Sequence, residues 1–172
     1  MRSAAKLSMA AILALPLLGN AALAQSATQN INLSATVADY CSIGGAASGT
    51  AVNRSITVTN GTVSTSALSA VTVGSVVCTK ISDVTLATTN TGLTTATAPN
   101  ASFQNVIHYT AAASFAGATP SLDTSAATSA TAATNTGANL GTLTVNITPQ
   151  ANTLPMLTGA YADVLVVTLT PQ

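Results

Sequence analysis

Apolar and polar residues alternate with a period of two along most of this chain, and no sustained helical stripe appears, so the pattern predicts strands rather than helices. Ile31, Leu33, Ala35 and Val37 share one face of a predicted strand whose other face carries Asn32, Ser34, Thr36 and Ala38. Gly44, Gly45 and Gly49 follow in a small-residue loop, and Ile56 and Val58 then alternate up to Asn60-Gly61. That dipeptide between strand-like runs predicts a hairpin, because both residues tolerate the positive φ of a type I′ turn. Further strands are predicted over Ala70 to Thr79, Val84 to Thr88, Asn105 to Phe115, Leu140 to Thr148 and Ala160 to Thr170. Thr88 to Ser102 and Ser121 to Asn139 are rich in Thr, Ala, Ser, Asn and Gly, and read as surface loops or irregular edge segments. About six or seven short strands with turn chemistry between them predict an all-β sandwich.

Composition narrows the class. Of 172 residues, 48% are hydrophobic but only 5% are charged, which excludes both a highly charged cytosolic surface and a disordered chain. The chain opens with Arg2 and Lys6, an apolar run from Leu7 to Leu18, and Ala22-Leu23-Ala24 before Gln25. Two cations, an apolar run too short for a bilayer and a small-x-small triplet predict a secretory signal peptide over residues 1–24. Its removal leaves Arg54 and Lys80 against Asp39, Asp83, Asp123 and Asp163, a formal charge of −2. Clustered cations that would hold nucleic acid are missing, and no second apolar stretch predicts a transmembrane segment. In an oxidising compartment the two cysteines, Cys41 and Cys78, are expected to form a disulfide.

Candidate chemistry is sparse. His108 is the single histidine and is expected on the strand face opposite Ile107 and Tyr109. There is no Glu, the four Asp are scattered, and no spacing matches a zinc or calcium site, so no catalytic residue, cofactor or metal ligand is predicted. Gly44-Gly45 lacks the Lys of a phosphate loop. Asn-x-Ser/Thr triplets at Asn32, Asn53, Asn60, Asn100 and Asn146 carry little weight in a chain so rich in Thr and Ser. The Thr content alone would suit a β-solenoid, but no fixed repeat is present.

Four segments resemble, in order and spacing, the spore coat protein U domain family, which includes archaic, Csu-type chaperone-usher pilin subunits. They are Ile31 to Val37 followed closely by Cys41; Gly74-Ser75-Val76-Val77-Cys78; the strand holding Ile107 and Tyr109; and Gly159-Ala160-Tyr161-Ala162-Asp163 running into Val164 to Leu169. The resemblance spans essentially the whole chain after the signal. It implies an incomplete immunoglobulin-like β-sandwich, residues 39–172, completed by donor-strand exchange with the N-terminal segment 25–38 of a neighbour.

By that resemblance Ile31, Leu33, Ala35 and Val37 are the donor side chains. Gly159, Tyr161, Asp163, Leu165, Val167 and Leu169 belong to the strand that borders the groove and pairs with a chaperone. The implied partners are identical or related pilin subunits, a periplasmic chaperone and an outer-membrane usher. The implied destination is a fimbrium at the cell surface serving adhesion and biofilm formation, reached through the periplasm and without enzymatic activity. The chain departs from the pattern in ending Thr170-Pro171-Gln172 without an aromatic, and in its Ser121 to Asn139 segment. The alternative is a self-contained secreted β-sandwich, a coat protein or adhesin module, with Ile31 to Val37 as the first strand of its own sheet.

Overall fold

A computed structural model describes residues 27–45 and 49–172. The signal peptide expected over residues 1–24, and the first two residues of the expected donor segment, lie outside the described residues. The chain separates into two units, Met1–Thr36 and Val37–Gln172.

In the first unit, residues 27–36 belong to no strand and are exposed. The sequence pattern predicted a strand here. Ile31 and Leu33 are 76% and 91% exposed, so the alternation is present in the chain but forms no strand among the described residues.

The second unit is antiparallel β-structure. Its elements are β1 (Cys41–Ser42), β2 (Val58–Thr59), β3 (Thr62–Val63), β4 (Val71–Cys78), β5 (Ser82–Thr88) and β6 (Leu93–Thr94), then β7 (Val106–Ile107), β8 (Tyr109–Ser114), β9 (Ser121–Asp123), β10 (Ala130–Thr134), β11 (Asn139–Pro149) and β12 (Leu165–Pro171). One sheet has the order β1-β4-β11-β8-β9, and a second has the order β10-β5-β12. Their inner faces meet in one core. Val76, Leu143, Val145, Ala111, Ala113 and Leu122 of the first sheet pack with Val84 and Leu86 of the second. Period-two patterning does this directly: every second residue of β5, from Ser82 to Thr88, is buried.

The predicted Asn-Gly hairpin forms between β2 and β3, with Asn60 at φ 51° and Gly61 at φ 77°. Its tip docks on the 152–156 loop, where Met156 N donates to Gly61 O (2.9 Å) and Asn152 Nδ2 donates to the same oxygen (2.7 Å). Val63, Ile107 and Met156 form a second, smaller core beneath it.

Three expectations change. Ser121 to Asn139 is not simply loop, because β9 extends the first sheet beside β8, a single 3₁₀ turn (Thr124–Ala126) follows, and β10 extends the second sheet beside β5. Main-chain pairing rather than side-chain hydrophobicity holds these edges, and Leu122 is their one large buried side chain. The strand expected from Asn105 to Phe115 breaks at His108, since β7 pairs with β6 while β8 pairs with β11 and β9. Ile107 and Tyr109 therefore enter different cores. The strand expected from Ala160 begins only at Leu165, so Gly159, Tyr161 and Asp163 precede the ladder rather than forming part of it.

Candidate functional site

The two sheets leave a gap on one side. β1 covers only Val77 and Cys78 of β4, so the stretch from Val71 to Val76 has no strand along that edge among the described residues. β12 pairs with β5 on one side and, among the described residues, with no strand on the other. Between these edges lies a groove of about 540 Å³ whose walls include Val71 and Val73, Leu143 and Val145, and Leu165 and Val167. A second cavity of about 630 Å³ continues from it past Arg54, Ile56 and Leu93 towards Met156, Gly159 and Tyr161.

The free edge of β12 has a defined hydrogen-bonding phase. Val164 O accepts from Thr89 N (3.1 Å), and Gln172 N donates to Ile81 O (3.0 Å). Main-chain groups in an antiparallel ladder alternate sides, so the even-numbered residues of β12 face β5. Leu165, Val167 and Leu169 thus turn their N–H and C=O groups to the open edge while their side chains pack on the core. Val164 and Val166 are 58% and 45% exposed. An apolar groove flanked by unpaired main chain is a template for one more strand.

A buried polar brace sets the start of that edge. Asp163 Oδ1 accepts from Asn90 N (3.0 Å) and Val164 N (2.8 Å). Its Oδ2 accepts from the hydroxyls of Tyr109 (2.8 Å) and Thr88. These bonds tie the entry of β12 to the end of β5 and the start of β8. Burial above all, with the Asp163 carboxylate adding to it and Thr88 opposing, holds the Tyr109 phenol far above its ordinary value.

A group that binds its proton more tightly when folded contributes stability fully below its unfolded pKa. That contribution is lost as pH rises through the folded one. For a tyrosine the loss begins near pH ~10. The stability difference between wild type and Tyr109→Phe, measured by urea unfolding at pH 8, 10 and 11, is expected to shrink across that series. A constant difference would separate Tyr109 from alkaline unfolding.

Gly159 approaches the chain so closely that a Cβ there would overlap Thr95 Oγ1, and its φ of 154° suits glycine. The Tyr161 hydroxyl donates to Leu157 O (2.9 Å). Both residues thus shape the loop before β12 and line the second cavity, whereas Asp163, Leu165 and Val167 line the first. Leu169 packs on the core. Leu143, Val145 and Arg54 were not singled out by sequence, and Tyr109 entered there only as part of the resemblance, not as a site residue. For Tyr109, Leu143 and Val145 the in-register alternation of Tyr109, Ala111 and Ala113, and of Leu143 and Val145, carried the signal.

The expected disulfide is present between Cys41 and Cys78, which are opposed in the β1–β4 ladder. Tyr40 and Thr79 extend that contact, with Thr79 N donating to Tyr40 O (3.0 Å), and Lys80 pairs with Asp39 at 3.0 Å. The remaining donor position in this unit, Val37, is 75% exposed. His108 is half-buried, with Nδ1 3.4 Å from Thr124 Oγ1. Among the described residues, no group of three or more His, Cys, Asp or Glu side chains could hold a metal ion, and no helix is long and apolar enough to cross a membrane. No protein-family model, curated protein or solved structure matches this chain.

Proposed function

We propose that this chain is the structural subunit of a surface pilus, an immunoglobulin-like domain short of one strand that polymerises by donor-strand complementation. The observation that carries the reading is the apolar groove between the edges of β4 and β12 that are unpaired among the described residues, in a chain whose strand-patterned residues 27–37 lie in no strand.

A strand from a neighbouring copy would take main-chain hydrogen bonds from Leu165, Val167 and Leu169, and its alternate side chains would enter the groove. Ile31, Leu33, Ala35 and Val37 supply such a set. Burying each of the three larger side chains provides about 1.5–3 kcal/mol, before any ladder bonds are counted. Until a donor arrives, the groove and edges are an aggregation hazard, which calls for a periplasmic chaperone to cover them and an outer-membrane usher to order the exchange. The disulfide suits an oxidising compartment on that route. Adhesion and biofilm formation follow from the fibre, and no catalytic step is assigned.

Deletion of residues 25–37 tests this. Residues 27–37 lie in no strand and are exposed, so the truncated chain is expected to fold and bind its chaperone while forming no polymer. Pull-down with the chaperone and negative-stain microscopy read the two properties separately. A truncated chain that unfolds even beside its chaperone would instead make the segment an internal strand, as in a self-contained secreted module.

A further inference from the structure

Residues 49–56 lie along the groove without joining either sheet. Thr50 to Arg54 and Ile56 line the same cavity as Val71 on one wall and Val167 on the other, yet residues 49–55 are all exposed. A segment that lines the groove and also faces solvent lies at its mouth. Among the described residues, it makes no main-chain hydrogen bond to either edge; the nearest such bond is from Ser64 N to Thr57 O, at the hairpin.

Ile56 packs on the second core at the far end of the segment, and one side chain supplies the hydrogen bonds that hold the rest. Arg54 Nε donates to Ser69 O (3.1 Å) and Nη2 to Ala70 O (3.4 Å), the two carbonyls just before β4, while Nη1 donates to Asn53 O (3.1 Å) within the segment itself. The guanidinium fork grips the β4 side. No hydrogen bond ties the segment to β12. Its sequence suits a removable cover: Thr50, Ala51, Asn53 and Ser55 are small or polar, and Val52 is 49% exposed. An added strand must lie about 4.8 Å from β12, in space this segment adjoins, so it must move aside for the strand to enter.

We infer that residues 49–56 are a displaceable strap over the strand-accepting groove, latched by Arg54 to the carbonyls of Ser69 and Ala70. This rests on the strand-exchange reading above and adds a control on it: the empty groove is shielded by its own chain, and opening the latch precedes strand entry. Few main-chain bonds and high exposure place such a segment at the low-stability end of the fold.

The test compares the full chain with Arg54→Ala and Arg54→Lys. Native-state limited proteolysis is read as the rate of cleavage within residues 49–56, with β5 and β11 as internal references, and assembly is followed by the appearance of detergent-resistant multimers. Arg54→Ala is expected to speed cleavage in the strap by about tenfold, the order expected for losing exposed hydrogen bonds made by a charged donor. β5 and β11 should stay uncut, and assembly should be faster. Arg54→Lys, a single point donor, should fall between the two.

Cleavage at 49–56 no faster in Arg54→Ala than in a wild type that assembles would overturn the strap and leave strand exchange standing. Faster strap cleavage with slower assembly would overturn the shielding role. Failure of all three chains to assemble would overturn the strand-exchange reading itself, and the inference with it.

Discussion

Proline at position 167 is expected to abolish assembly while leaving the domain folded, whereas proline at position 168 destabilises the fold itself. The main chain points in opposite directions at the two positions. Thr168 is in phase with Val164 and Gln172, whose main-chain bonds go to β5, so Thr168→Pro removes a ladder bond inside the three-stranded sheet. It also leaves the Thr85 carbonyl opposite without its donor, for a loss of about 1–3 kcal/mol. Val167 points its N–H to the open edge, where proline is tolerated because no bond is lost within the domain. The half-buried valine side chain is altered, which costs about 1–2 kcal/mol.

Val167→Ala serves as the matched control, since it trims the side chain and keeps the N–H. Thermal unfolding by circular dichroism reports the fold, and multimer formation reports the edge. Were Val167→Pro to assemble as well as Val167→Ala, β12 would not be the edge that receives a strand.

Replacing both cysteines, Cys41→Ala with Cys78→Ala, is expected to remove about 4 kcal/mol of stability, from the closure of a loop with a sequence separation of 37. A domain of this size has roughly 5–15 kcal/mol in total, so the reduced subunit sits near the unfolding threshold at physiological temperature. The position of the bridge adds a second effect. The closed loop contains the strap, the β2–β3 hairpin and most of β4. β1 is only two residues long and depends on the bridge to stay on β4. Losing it frees the root of the leading segment and lengthens the open edge of β4. Urea unfolding of the oxidised chain and the double variant gives the stability difference. A difference below about 1 kcal/mol would mean that β1 and its neighbours hold without the bridge.

Much of this architecture is readable from residue order. Alternation located β4, β5, β8, β11 and β12 to within a few residues, Asn60-Gly61 placed the hairpin, and two cysteines in a chain expected to be exported implied their bond. Each is a local signal: side-chain period, turn chemistry, or the absence of any other partner. Where the local signal was weak, the reading lost the element. β9 and β10 have almost no large apolar side chains and exist because β8 and β5 offer main-chain partners beside them.

The same distinction governs the candidate site. Sequence by itself determined an all-β chain with a leading run, Ile31 to Val37, patterned to be buried on one face. It determined equally that Leu165, Val167 and Leu169 share a face. Only tertiary structure decided that the leading run forms no strand among the described residues, that β4 and β12 have open edges there across a groove, and that Asp163, Tyr109 and Thr88 meet to brace its end. The physical reason is that period-two patterning specifies which face of a strand is buried but carries no information about which strand lies beside it. Pairing is made by main-chain groups, which are the same in every residue.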